Sequence, residues 1–247
     1  MPPITTARLS PQDTKSRILD AAEALFVSGG FESLSMRQIT SAAGVNLAAV
    51  NYHFGSKDAL IQAVLSRQLD PLNERREAML DHFEKEVGSL LTCEHVLAAM
   101  FLPAVRMFND PQDSGRYLQF LGRAYTDPSP VVRDFINTHY LQTLGRFFTA
   151  FQRTLPELPR AELGFRLHFA MGALSGILAG GNTQRLIRDF TQGHTDETLL
   201  LSRLAALMVA ALKAPLPGPG DLTAFGDIVR LSDGSPASLS SQTAQPH

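Results

Sequence analysis

Apolar residues recur at helical spacing from Thr14 to Leu212, and no sustained period-two run of β-branched residues bounded by turns interrupts them. Such a chain must bury helical stripes against one another, so the expected class is all-α. Ile18, Leu19, Ala22, Leu25 and Phe26 form the first stripe, which Gly29-Gly30 ends. Ser35-Met36-Arg37-Gln38 reads as a capping box, opening a short helix that turns Met36, Ile39 and Ala43 inward. Gly44 permits a tight turn, and Asn46 is a good cap for a third helix reaching about Tyr52. Ser56 caps a longer helix carrying Leu60, Ile61, Val64, Leu65 and Leu69, which Pro71 is expected to kink or restart. Further helices are expected over 71–87, 94–108, 113–126, 130–155, 160–178 and 196–212, with a short piece after Asn182.

Four segments follow: a flexible arm (1–13), a three-helix unit (14–58), a larger helical domain (59–212) and a tail (213–247). In the tail Pro, Gly and Ser supply 14 of 35 residues, so it is expected to be mostly disordered, with a transient turn at Leu222 to Leu231. Elsewhere 44% hydrophobic against 19% charged residues provides for a packed core. The net charge of -2 excludes a wholly basic surface, and residues 1–70 balance 6 cations against 6 anions. Any affinity for a polyanion must then come from a local set: Arg8, Lys15, Arg17, Arg37 and Lys57. A single cysteine, Cys93, excludes an internal disulfide and a CxxC site. The first residues lack the ~7 to 15-residue apolar core of a secretory signal, and the apolar stretch Phe169 to Gly181 falls short of the ~20 residues that span a bilayer. A cytoplasmic protein without a membrane partner is expected.

The helices at 35–43 and 46–52, joined by a glycine turn, match a helix-turn-helix whose second element enters the major groove. Between Ser33 and Lys57 there are two cations and no acid. Val45 and Val50 hold the second helix on its partner, leaving Asn46, Leu47, Ala48, Asn51 and Tyr52 outward. Small residues permit close approach to bases, Asn pairs with adenine, and Leu or Ala touches a thymine methyl. Tyr52 and His53 offer hydrogen bonds to phosphate, and Arg37 and Lys57 offer charge, the latter beside a helix N-terminus. His53 beside Phe54 reads equally well as a structural hydrogen-bonder.

Residues 17–64, reading RILDAAEALFVSGGFESLSMRQITSAAGVNLAAVNYHFGSKDALIQAV, resemble the DNA-binding domain of the TetR family of bacterial transcriptional repressors. The resemblance implies a homodimer with an N-terminal three-helix helix-turn-helix DNA-binding domain and a C-terminal helical ligand-sensing and dimerisation domain. It further implies a double-stranded DNA operator and a small-molecule inducer as partners. Family members commonly carry two aromatics before the histidine, whereas Asn51 stands before Tyr52 here, so the contact at 51 is open between phosphate and base. The wording VNLAAVNYHFGSK also resembles a subgroup responding to fatty acids or acyl-CoA.

In the sensor half, polar residues embedded in apolar helices are candidate ligand contacts: Arg123 and Tyr125 near Leu118 and Leu121, His139 and Thr143, and His168 near Met171. Each also reads as a satisfied core or interface group. The segments 163–178 and 199–212 are apolar over much of their circumference. Two such helices per subunit suit a four-helix dimer interface, with Gly172, Ala173, Gly176 and Ala179 allowing close approach and Leu204 and Leu207 opposite. Paired recognition helices ~34 Å apart then read a palindromic operator. Ligand preference of about 2.7 kcal/mol for a spread conformation relieves repression ~100-fold.

Enzyme motifs are absent: no GxSxG, no GxxxxGK[ST], no HExxH, and the seven histidines do not cluster at ligand spacing. Neither a metal nor a cofactor is expected. Two alternatives share the fold: a sensor of drugs or xenobiotics, for which cationic ligands call for buried acids such as Asp134 and Glu162, and an activator controlled by a protein partner.

Overall fold

The computed structural model describes residues 11–107, 111–179, 189 and 197–232. Among these, eleven α-helices and no strand are found. Helix α1 (Pro11–Ser33) carries its apolar stripe as far as Gly29 and is broken at Gly30, whose φ of 76° and ψ of 179° leave helical space. Ile18, Ala22 and Phe26 on that stripe are fully buried. Helix α2 (Met36–Ala43) opens with both halves of a capping box: Gln38 N–H donates to Ser35 Oγ (3.2 Å), and Ser35 N–H donates to Gln38 Oε1 (2.9 Å). It ends at left-handed Gly44, φ 61°. The left-handed backbone there favours glycine, and a Cβ would also displace the end of the Arg17 side chain, whose Nη2 would lie 2.6 Å away.

Asn46 Oδ1 accepts from Ala49 N–H (2.8 Å) and starts α3 (Leu47–Phe54), two residues longer than expected. Ser56 Oγ accepts from Ala59 N–H and starts α4 (Lys57–Val87). This helix runs through Pro71 without a restart, where a kink or a restart was expected. Packing explains the continuity: Leu65 and Leu69 before the proline and Leu72 and Leu80 after it are all fully buried, so the apolar stripe continues in register. A 3-10 turn at Gly88–Leu90 leads to α5 (Cys93–Val105).

Helix α6 (Pro111–Thr126) is followed by α7 (Pro130–His139) and α8 (Leu141–Thr154). One helix had been expected across 130–155. The break is at Tyr140 (φ -105°, ψ 18°), whose hydroxyl donates to Asp70 Oδ1 on α4 at 2.6 Å. Burial, and then the bond to Asp70, push the Tyr140 phenol pKa well above its ordinary value, so this donor stays protonated. Helices α9 (Arg160–Ala179) and α10 (Glu197–Lys213) complete the unit that runs to Leu212. Arg166 ties these two together by donating to the carbonyls of Ala211 and Leu212, both at 3.1 Å, while pairing with Glu162. The short piece expected after Asn182 lies outside the described residues.

The chain from Lys213 forms a second unit. There the expectation of a mostly disordered tail meets a helix, α11 (Pro219–Ser232). Proline suits the first turn of a helix, and the apolar residues Leu222, Phe225, Ile228 and Val229 fall at helical spacing. The helix spans the segment Leu222 to Leu231, where a transient turn is expected.

Candidate nucleic-acid interface and its ligand cavity

Helix α3 is short, and its sides are sharply divided. Val50 is fully buried, fixing the helix on the core, whereas Asn46, Leu47, Ala48, Asn51 and Tyr52 are exposed. Tyr52 is 84% and Leu47 51% exposed, large apolar surfaces for which the described residues offer no cover. Arg37 on α2 is exposed as well. Asn46 spends its carbonyl oxygen on the cap, which leaves its amide N–H groups outward. His53 is half-buried, its ring edge-on to Tyr52 at 5.1 Å.

Lys57 is placed differently from expectation. Its ammonium donates to the carbonyls of Phe31 (3.3 Å) and Leu34 (3.2 Å) and lies 4.0 Å from the centre of the Phe31 ring. The end of α1 thus offers this cation carbonyl acceptors and an aromatic face, and Lys57 locks the start of α4 onto the turn before α2.

That same turn is held from the sensor side. Phe31 N–H donates to Asp127 Oδ2 (2.9 Å), a buried bond just beyond α6, and Arg123 Nε donates to Val27 O (3.4 Å). Phe26 of α1 packs on Phe120 of α6 with ring centroids 5.9 Å apart. Arg67 of α4 forms ion pairs with Asp20 (2.7 Å) and Glu23 (2.6 Å) of α1. The expected boundary near residue 58 is therefore no break in packing: α1 is clasped by α4 and α6.

Between α4, α5, α6, α9 and α10 lies a cavity of about 240 Å³. Its walls are largely aliphatic, with Leu118, Leu121, Leu174, Leu204 and Met208 among them, and Arg76, Tyr125 and Ser175 supply polar groups. Of the candidate ligand contacts, Leu118, Leu121 and Tyr125 line this cavity. Arg123, His139, Thr143, His168 and Met171 are not among the described cavity residues, and most have other partners. Arg123 reaches Val27, while Thr143 donates to Glu77 on α4. His139 is exposed, stacked on Phe135 at 4.8 Å and 3.5 Å from Asp70, in a surface cleft with Asp58 and Gln62. His168 is exposed beside Phe169. Helical registers place these side chains, and residue type alone did not reveal which side of each helix faces inward.

Arg76 was missed, although its register could have found it. With Leu69, Leu72, Asn73 and Leu80 it continues one stripe at helical spacing, whereas its neighbour Arg75 is exposed. Asp127 was missed too, since its partner is 96 residues away in sequence.

On the outer face of α9, Phe165 (60%) and Phe169 (68%) are exposed, as are Gly172, Ala173 and Gly176; on α10 Leu207 is 64% exposed. Leu204, expected beside Leu207 at a dimer interface, is instead buried on the cavity wall, one helical register step away. Ala179 ends α9, but its side chain lies outside the described ones. No helix among the described residues is long and apolar enough to cross a membrane, and no group of three His, Cys, Asp or Glu residues that could hold a metal occurs among them.

A family model described as bacterial regulatory proteins, tetR family, matches residues 18–64, and a second, described as Tetracyclin repressor-like, C-terminal domain, matches 98–211. The HTH-type transcriptional regulator SrpR of Pseudomonas putida is 31% identical over 172 residues, covering 68% of this chain and 73% of SrpR. This chain belongs to the TetR family. It is a helix-turn-helix transcriptional regulator, and α2 and α3 lie within the matched residues 18–64. TtgR, another HTH-type transcriptional regulator of Pseudomonas putida, is 33% identical over 92 residues, 36% of this chain and 42% of TtgR. A putative tetR family regulator from Shewanella sp. PV-4 shares the fold, with a TM-score of 0.53 at 18% identity, over 81% of this chain and 95% of that one.

Proposed function

We propose that this TetR-family regulator is a dimeric repressor that binds a two-fold-symmetric operator through α3 and is released when a small apolar or amphiphilic molecule fills the cavity. The observation that carries the reading is the shared use of α6. Leu118, Leu121 and Tyr125 wall the cavity, and Arg123 and Asp127, on or just after the same helix, hold the backbone of α1 at Val27 and Phe31. A ligand that shifts α6 must strain or move those bonds, so cavity occupancy and the attitude of the DNA-binding helices are linked.

Dimerisation is supported by the exposed apolar residues Phe165 and Phe169 on the α9 face that carries Gly172 and Gly176, where the glycines leave open space for a second backbone, and by exposed Leu207 on α10. In this reading the exposed Leu47, Ala48 and Asn51 of α3 read base edges, and Tyr52, His53 and Arg37 contact phosphates. A cationic-drug sensor is less well supported: no acid lines the cavity among the described residues, and Asp134 and Glu162 sit on Arg133 and Arg166 instead.

The test is fluorescence anisotropy of duplexes from the DNA flanking this gene. Tight binding is expected with a steep inverse dependence on salt, and Leu47→Ala or Tyr52→Ala should weaken it by about tenfold each. No binding to any flanking duplex at low salt, where phosphate attraction is strongest, overturns the reading.

A further inference from the structure

We infer that the cavity is built for an anion: a small monocarboxylate whose apolar body lies among the leucines and whose carboxylate is held by Arg76 and Tyr125. This rests on the proposed sensing role of the cavity and names the ligand class. Arg76 is 7% exposed and cannot shed its proton, so its charge is buried permanently. Its Nε donates to Met100 O (2.8 Å), and its Nη1 to Asn73 Oδ1 and Tyr125 Oη, both 3.1 Å. All three acceptors are neutral.

No acid of α4 pairs with Arg76: Asp58, Glu74 and Glu86 are exposed, and the other four have partners elsewhere. Asp70 takes Tyr140, Glu77 takes Thr143, and Asp81 and Glu84 take Arg146. No carboxylate pairs with Arg76 among the described residues, and an unpaired buried charge is costly in an apolar wall. A purely structural role in tying α4 to α5 and α6 accounts for Nε and Nη1 but leaves the two N–H groups of Nη2 without an acceptor among the described residues. Tyr125 accepts from Arg76 and so has its own O–H proton free to donate. A guanidinium edge next to a phenol matches the two oxygens of one carboxylate, and charge-assisted bonds of this kind are the strong ones.

Volume limits the body. About 240 Å³ lies below the ~300 to 1,000 Å³ usual for drug-sized ligands, which suits a short or medium acyl chain or one aromatic ring. The position of the anchor also explains a response. Tyr125 lies in the last turn of α6, two residues before Asp127, so a carboxylate drawn onto Arg76 and Tyr125 acts on the segment that holds Phe31.

The test is calorimetric titration of the full chain with hexanoate, octanoate, decanoate and phenylacetate, each beside the alcohol and the amine of the same carbon skeleton, with operator release measured in parallel by anisotropy. At least one carboxylate should bind about tenfold or more tighter than its alcohol, and its amine should not bind. Tyr125→Phe, with its fold checked by circular dichroism, should reduce that preference severalfold, and Arg76→Gln should abolish it while alcohol binding persists. If every alcohol or amine binds as well as its acid, or if Tyr125→Phe and Arg76→Gln leave the preference intact, the anion site is refuted. An alcohol that releases DNA where no acid binds would overturn the anion site and keep the sensing role. A carboxylate that binds with full Arg76 dependence but leaves DNA bound would support the site and overturn its coupling to the operator.

Discussion

Replacing Gly30 with alanine tests whether the DNA-binding helices are held to the sensor as described. Gly30 occupies φ 76° and ψ 179°, a region open essentially to glycine alone, where a side chain costs about 1–3 kcal/mol. The added Cβ would also lie 2.6 Å from Asp127 Oδ2, the oxygen that accepts from Phe31 N–H. That oxygen cannot retreat without breaking the bond, and a buried hydrogen bond to a charged group contributes about 1.5–3 kcal/mol. The low ends sum to about 2.5 kcal/mol, which for a chain of this size lowers the melting temperature by roughly 5–10 °C. Melting followed by circular dichroism is the suitable assay, since the chain has no tryptophan. Asp127→Ala removes the same bond, so the two changes together should cost about 1.5 kcal/mol less than the sum of each alone. A Gly30→Ala shift under about 1 °C, or strict additivity with Asp127→Ala, would refute the reasoning.

Lys57→Met should lower stability by about 1 kcal/mol or more through loss of its carbonyl contacts, yet leave the salt slope of DNA binding unchanged; a slope reduced by about 1 per protomer would make Lys57 a phosphate contact after all. Ser35→Ala removes a cap and should cost about 1 kcal/mol in a thermal melt, with a stability unchanged from wild type counting against the capping box. Phe169→Glu places a charge in the exposed apolar strip of α9 and should yield monomers by light scattering that no longer bind operator; an intact dimer would move the interface elsewhere. Deleting residues 213–247 is expected to leave DNA binding and ligand release intact by anisotropy, and loss of either would give the tail a role in regulation.

The features that could be read from sequence are those made by neighbours. Ser35 with Gln38, Gly44, Asn46 and Ser56 each act within four residues through side chain to backbone bonds or backbone freedom, so the edges of α2, α3 and α4 follow from residue type. The break at Tyr140 carries no such signature, because it is made by packing and by a bond to Asp70, 70 residues away. Asp127 likewise acts on Phe31 across the chain. In the cavity the decisive variable is which side of a helix points inward: Tyr125 does, Arg123 two positions earlier reaches α1 instead, and His139 and His168 are exposed. Arg76 shows the reverse error, since an arginine in a charged stretch reads as solvated until its register with Leu69, Leu72 and Leu80 is followed.

The most direct measurement of the central claim is selection of bound sequences from a randomised duplex library by the full-length protein. Enrichment of one two-fold-symmetric sequence with half-site centres about one helical turn, ~10 base pairs, apart is expected, with loss of that enrichment in Tyr52→Ala. Enrichment of no sequence, or of an asymmetric one indifferent to changes on the exposed face of α3, would contradict it.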